Sequence, residues 1–122
     1  MQFVTDTHSL VWYLQDSAKL STAQKSLFET GKEPIIIPAI VIAELLYITK
    51  KTKMDFLATL SHLEESATFK VHPLSTAIIK VAAAYKLLEM HDALIVATAK
   101  ALSLPLMTFD KEIRKSGWVE VL

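Results

Sequence analysis

The chain has 122 residues, and this length predicts a single domain spanning residues 1–122. Thirteen basic residues balance thirteen acidic ones, which excludes bulk electrostatic attraction to nucleic acid and leaves only local or metal-mediated binding. The absence of cysteine excludes disulfides, thiolate catalysis and sulfur-ligated zinc, and two glycines are too few for the glycine-rich phosphate loops.

Short apolar runs predict five β-strands. Residues 35–37 are isoleucines between Pro34 and Pro38, which favours a central strand with both prolines outside the ladder. The five predicted strands, in chain order, are residues 3–5, 35–37, 70–72, 106–108 and 119–121.

Longer helical patterns separate these strands. Ser21 and Ser75 are suitable N-caps, and Gly31 is a suitable helix end. The predicted helices are residues 9–15, 21–30, 39–51, 55–66, 75–89 and 91–103. Strands that alternate with helices indicate a parallel sheet covered on both faces, which is a three-layer α/β/α fold.

The chain shows no sign of export or membrane insertion. No apolar run approaches the roughly 20 residues of a membrane helix, and the N-terminus lacks a basic segment followed by an apolar stretch. We therefore expect a cytoplasmic protein without membrane contact.

Four carboxylates close or interrupt apolar runs, namely Asp6, Glu44, Asp92 and Asp110. Burying an ionised carboxylate without a partner is costly, and no basic residue adjoins the first three in sequence. Asp6 and Asp110 follow predicted strands at their carboxyl ends, where open parallel sheets bind ligands. If those two strands are neighbours, both aspartates enter one crevice.

Each acid also has a purely structural explanation. Asp6 and Asp110 are suitable helix N-caps, and Asp92 is favoured near a helix N-terminus by the helix dipole. Glu44 has the weakest such explanation, because its neighbours three and four positions away on the helix are all largely apolar.

A shared cation accounts for all four acids at once. Carboxylates without imidazole or thiolate partners favour Mg²⁺ or Mn²⁺ over zinc. Crowded carboxylates raise one another's pKa values unless a cation neutralises them. A cation in that position would attract and orient a phosphodiester, which predicts phosphate chemistry.

An ordered set of motifs resembles the PIN-domain ribonucleases, and especially the VapC toxins of VapBC toxin–antitoxin pairs. The matching segments are Asp6-Thr7-His8 with Trp12, Glu44 in a helix after the second strand, the run from His91 to Ala99, and the run from Leu104 to Asp110. The resemblance spans nearly the whole chain, and none of the four family acids is substituted.

This resemblance implies a Mg²⁺- or Mn²⁺-dependent endoribonuclease with a five-stranded parallel sheet. Asp6, Glu44, Asp92 and Asp110 become the metal-binding and catalytic acids. It also implies an RNA substrate, a homodimer, and an antitoxin whose C-terminal segment crosses the cleft.

Several other polar residues have open assignments. Thr7 and Thr108 either hydrogen-bond the acids or a phosphate, or are ordinary turn hydroxyls. Lys111 and Arg114 are candidate substrate-binding residues, although Arg114 alternatively forms an ion pair with Asp110. Basic residues at 50, 51 and 53 are expected to be solvated at a helix C-terminus, with RNA phosphates as the alternative contact.

Two other functions compete with the nuclease. A receiver-type phosphoacceptor domain has similar size and uses carboxylates with Mg²⁺, but it needs paired acids after the first strand and an aspartate after a central strand. Pro38 follows the second strand here. A non-catalytic PIN-like module that binds RNA or protein is the other alternative.

Overall fold

A parallel sheet forms the centre of the protein. The computed structural model describes residues 1–122. Its strands are β1 (Val4–Thr5), β2 (Ile35–Pro38), β3 (Phe69–His72) and β4 (Leu106–Met107), in the spatial order β3-β2-β1-β4. All neighbouring pairs are parallel, and Val4 pairs with both Ile36 and Leu106. The predicted α/β fold with a parallel sheet is therefore confirmed, as is the central position of the isoleucine strand.

Two details of the sheet differ from the prediction. The fifth strand is reduced to one parallel bridge between Leu106 and Val121, because β4 has only two residues to offer a partner. Pro38 lies inside β2 and pairs with His72. A proline can end a parallel ladder, since its carbonyl still accepts a hydrogen bond although it has no N–H to donate.

Seven helices connect or flank these strands: α1 (Thr7–Leu14), α2 (Thr22–Thr30), α3 (Ala39–Lys50), α4 (Phe56–Glu65), α5 (Thr76–Ala82), α6 (Met90–Leu102) and α7 (Lys111–Ser116). Ser21 and Gln24 form a reciprocal capping box at the start of α2. Ser75 caps α5 through the N–H of Ile78. The longest helix has 13 residues, and no helix combines the length and hydrophobicity of a transmembrane span.

The predicted helix over residues 75–89 ends early, at Ala82. The chain continues through single turns, in which the N–H of Tyr85 donates to the carbonyl of Ala82. Tyr85 is only 8% exposed, and its ring packs against Trp118 with centroids 5.1 Å apart. The residues after Ala82 are mostly good helix formers, so burial of this aromatic ring outweighs a favourable local preference for helix.

Both faces of the sheet are covered. Ile35, Ile36 and Ile37 are all buried, although successive side chains of a strand point to opposite faces. Val4, Leu106 and the neighbouring strand residues belong to the same core cluster. Because these strands are packed on both faces, their carboxyl ends are held in fixed positions in the core.

The strand order reverses between β1 and β4. The chain adds β2 and β3 on one side of β1, and then crosses to place β4 on its other side. The N–H of Asp6 donates to the carbonyl of Met107 at 3.1 Å, so the carboxyl ends of the two strands are joined directly. Ligands of open parallel sheets bind at such a position.

Candidate functional site

The four predicted acids line one cleft at this reversal point. The cleft has a volume of about 430 Å³. Its lining residues are Asp6, His8, Trp12, Glu44, Glu89, His91, Asp92, Phe109 and Asp110. Residues that are more than a hundred positions apart in sequence, such as Asp6 and Asp110, are thus brought together by the sheet and by the packing of α3 against α1 and α6.

Asp6 and Asp110 occupy the cleft as helix caps. Oδ1 of Asp6 accepts a hydrogen bond from the N–H of Ser9 at 2.9 Å, at the start of α1. Oδ1 of Asp110 accepts from the N–H of Ile113 at 2.9 Å, at the start of α7. The other carboxylate oxygen of each has no hydrogen-bond donor in the protein and is not a buried unpaired atom. The capping role therefore leaves one oxygen of each aspartate free for a ligand.

Glu44 is positioned by a single short hydrogen bond. The Thr7 hydroxyl donates to Oε1 of Glu44 at 2.6 Å, and Thr7 is only 4% exposed. Glu44 is half-buried in the middle of α3. The hydroxyl fixes one carboxylate oxygen, and the second oxygen has no donor in the protein.

Asp92 experiences the negative charge of the whole cleft. It lies in the first turn of α6. Burial raises the pKa of Asp92, and the charges of Asp110, Glu44, Glu89 and Asp6 raise it further. The four neighbouring acids therefore disfavour the charged form of Asp92 in a partly desolvated space.

No basic side chain neutralises this cluster. The only ion pair in the protein joins Lys25 to Asp16, at 2.9 Å. The N-terminal ends of α1 and α6, which carry partial positive charge, offset part of the repulsion. The cleft therefore carries negative charge that no ion pair within the protein compensates.

The donor set fits a hard divalent cation that keeps much of its water. No three carboxylate or imidazole side chains form a preassembled metal cage. Mg²⁺ is commonly bound through one or two carboxylates, several waters and substrate phosphates, without an all-protein cage. The four predicted acids, each with a free oxygen, suit this mode of binding.

Glu89 was missed by the sequence reasoning. It occupies the N-cap position of α6 without making a side-chain capping bond, and it lines the cleft beside Asp92. The spacing of three residues between Glu89 and Asp92 places both on one side of a helix start. That spacing is the feature of the sequence from which Glu89 could have been predicted to line the cleft.

The remaining predicted polar residues lie around the cleft. The hydroxyl of Thr108 accepts from the N–H of Asp110 at 3.2 Å. Arg114 forms no ion pair with Asp110, because Nη1 donates to the carbonyls of Thr108 and Leu122 at 2.7 and 2.9 Å. Neither Arg114 nor Lys111 lines the cleft. Arg114 ties the C-terminal residues to the end of β4.

Aromatic rings form one wall of the cleft. Trp12 meets Phe109 edge to face, with centroids 5.0 Å apart. Nζ of Lys19 lies 5.2 Å from the centroid of the Trp12 ring. This packing holds the second half of α1 against Phe109, the residue directly before Asp110.

A family model described as the PIN domain matches residues 3–119. The chain belongs to the PIN-domain family. The resemblance predicted from the motifs is therefore confirmed. A comparison with curated protein sequences finds no match.

Several solved structures share the fold of this PIN domain. VapBC2 from Rickettsia felis, bound to a DNA fragment from its promoter, matches with a TM-score of 0.75 and 19% identity, over 100% of this chain and 98% of that chain. A toxin–antitoxin complex from Klebsiella pneumoniae matches with a TM-score of 0.73 and 22% identity, over 98% and 95%. VapC20 from Mycobacterium tuberculosis, described as a toxin that cleaves the sarcin–ricin loop, matches with a TM-score of 0.72 and 16% identity, over 98% of each chain.

Proposed function

We propose that this PIN domain is a Mg²⁺- or Mn²⁺-dependent endoribonuclease and the toxin of a type II toxin–antitoxin pair. The observation that carries the proposal is the cleft in which five carboxylates meet without a basic partner. Family membership and the descriptions of the VapBC and VapC20 structures support it.

The proposed cation would be held by Asp6, Glu44, Asp92 and Asp110, and it would supply Lewis-acid activation of a phosphodiester. Thr7 fixes one oxygen of Glu44 and leaves the other free for the cation. Asp92, whose pKa is raised by burial and by its acidic neighbours, gains most from neutralisation. Lys111 and Arg114, which do not line the cleft, remain proposed as substrate contacts outside it.

An antitoxin and a second copy of the chain are the proposed protein partners. The toxin–antitoxin descriptions of the solved neighbours support the antitoxin, and a basic side chain of that partner would complement the unpaired acids. An apolar groove between α5 and α6 supports the homodimer, because Ile79 and Met90, which line it, are 48% and 65% exposed.

The deciding experiment is cleavage of single-stranded RNA with Mg²⁺, with Mn²⁺ and with a chelator. Wild type is compared with Asp6→Asn and Asp92→Asn, which we expect to lose at least about a hundredfold in rate, since each removes a charged ligand. Asp55→Asn is the matched control, because Asp55 caps α4 through the N–H of Ala58 as Asp6 caps α1, yet it does not line the cleft. Equal cleavage by wild type and Asp92→Asn would identify a contaminating nuclease.

The same preparations separate the two alternatives. A receiver-type domain would transfer phosphate from acetyl phosphate to an aspartate. No acid comes directly after β2, which ends at Pro38, or directly after β3, which ends at His72. The arrangement of acids therefore does not favour that chemistry. Binding of RNA without cleavage in either metal would identify a non-catalytic module.

A further inference from the structure

A second hollow adjoins the carboxylate cleft. It has a volume of about 300 Å³, and we call it the side pocket. Ala43, Ile48 and Tyr47 supply its apolar walls, whereas His8, Glu44 and His91 line both the side pocket and the cleft. A ligand in the side pocket therefore lies next to any group held by the acids.

Tyr47 is an exposed aromatic residue at the edge of this pocket. It is 69% exposed. Nζ of Lys50 lies 5.0 Å from the centroid of its ring, a cation–π contact. The ring is thus presented beside the cleft and is not used by the core.

An acid, an aromatic ring and a basic group form a slanting row on the surface of α3. Glu44, Tyr47 and Lys50 are spaced three residues apart, so each is a neighbour of the next on the helix surface, and the row turns through about 120°. The rise from the first to the last is about 9 Å. Lys51 and Lys53 extend the positive charge beyond the helix end, and both are exposed.

This order suits a single nucleic acid strand. Single-stranded RNA is held by aromatic rings that stack on its bases and by basic groups that bind its phosphates. The carbon-rich walls of the side pocket fit the planar face of a base better than a sugar or a phosphate. Glu44, which is the one carboxylate that lines both the side pocket and the cleft, has a free oxygen and favours a ligand that arrives with a cation.

We propose that the side pocket is a nucleobase subsite, in which Tyr47 stacks on the base next to the scissile phosphate and Lys50 binds the adjoining phosphate. The inference rests on the proposed ribonuclease function and specifies how that site selects its substrate. Tyr47 is then a residue that determines the base preference next to the cut.

The test measures KM and kcat for a short single-stranded RNA and for the same RNA with one abasic nucleotide beside the cut. We expect Tyr47→Ala to raise KM by about five- to 150-fold with kcat nearly unchanged, from the usual range for loss of one base–aromatic stack. Tyr47→Phe should restore the wild-type KM. On the abasic RNA, wild type and Tyr47→Ala should have equal KM values. Leu57→Ala is the control, because Leu57 is 71% exposed and lines neither pocket.

A binding measurement separates failure of the inference from failure of the nuclease. Fluorescence anisotropy of the same two RNAs is recorded with Mg²⁺ on Asp92→Asn protein, with and without Tyr47→Ala. Base-dependent binding that Tyr47→Ala abolishes, without cleavage by wild type, would support the subsite and refute the nuclease. Cleavage with unchanged KM in Tyr47→Ala would refute the subsite and leave the nuclease standing. Loss of self-association in Tyr47→Ala, measured by light scattering with KM unchanged, would assign this surface to a protein contact and also refute the subsite.

Discussion

Removing the hydroxyl of Thr7 tests how the cleft is held together. Thr7→Val keeps the shape and the helix propensity of the residue, and it deletes the 2.6 Å bond to Glu44. A hydrogen bond to a charged group contributes about 1.5–3 kcal/mol. Glu44 is only half-buried, so water replaces part of that bond, and we expect the free energy of unfolding to fall by about 1.5 kcal/mol.

Urea unfolding measures this loss of free energy, and a double-mutant cycle tests whether the loss comes from the bond between Thr7 and Glu44. Thr98→Val is the matched control, because Thr98 is 2% exposed and its hydroxyl bonds only to the carbonyl of Leu94 within α6. We expect that control to be near neutral. Combining Thr7→Val with Glu44→Gln should cost clearly less than the sum of the two single changes. Strictly additive effects, or equal losses in Thr7→Val and Thr98→Val, would refute the assignment of the bond.

Three further predictions concern the charges. Burial and neighbouring acids raise the pKa of Asp92 above its ordinary value of 3.8, so its ionisation opposes folding: the penalty is absent below pH 3.8 and complete above the raised pKa. Without divalent cations at neutral pH, Asp92→Asn should therefore unfold at a higher urea concentration than wild type. The difference between the two urea midpoints should shrink in acid, and a difference that grows in acid would contradict this explanation. Mn²⁺ at a hundred times its dissociation constant should stabilise wild type by about 2.7 kcal/mol, measured as a rise in melting temperature that is absent in Asp6→Asn combined with Asp92→Asn. Arg114→Met should lower the free energy of unfolding by about 2 kcal/mol, because it removes two charge-assisted hydrogen bonds to the carbonyls of Thr108 and Leu122. An unchanged free energy of unfolding together with weakened RNA binding would instead make Arg114 a substrate contact.

The sequence determined the elements and the identity of the acids. Alternation of apolar runs with helical patterns predicts a parallel sheet, because only covered strands are apolar at every position, as Ile35, Ile36 and Ile37 are. Glu44 was recognisable as out of place, since a charged residue in an apolar helix stretch requires a partner. These signals are local, and so they can be read along the chain.

The tertiary structure decided which distant residues meet. The adjacency of β1 and β4 brings Asp6 beside Asp110, and nothing local to either residue specifies it. The bond from Thr7 to Glu44, the presence of Glu89 in the cleft and the engagement of Arg114 by backbone carbonyls likewise depend on contacts between separate elements. The early end of α5 has the same origin, because Tyr85 is drawn into the core by Trp118. Packing between distant elements contributes several-fold more free energy than local preference does. The order of residues alone does not show which distant elements will pack together.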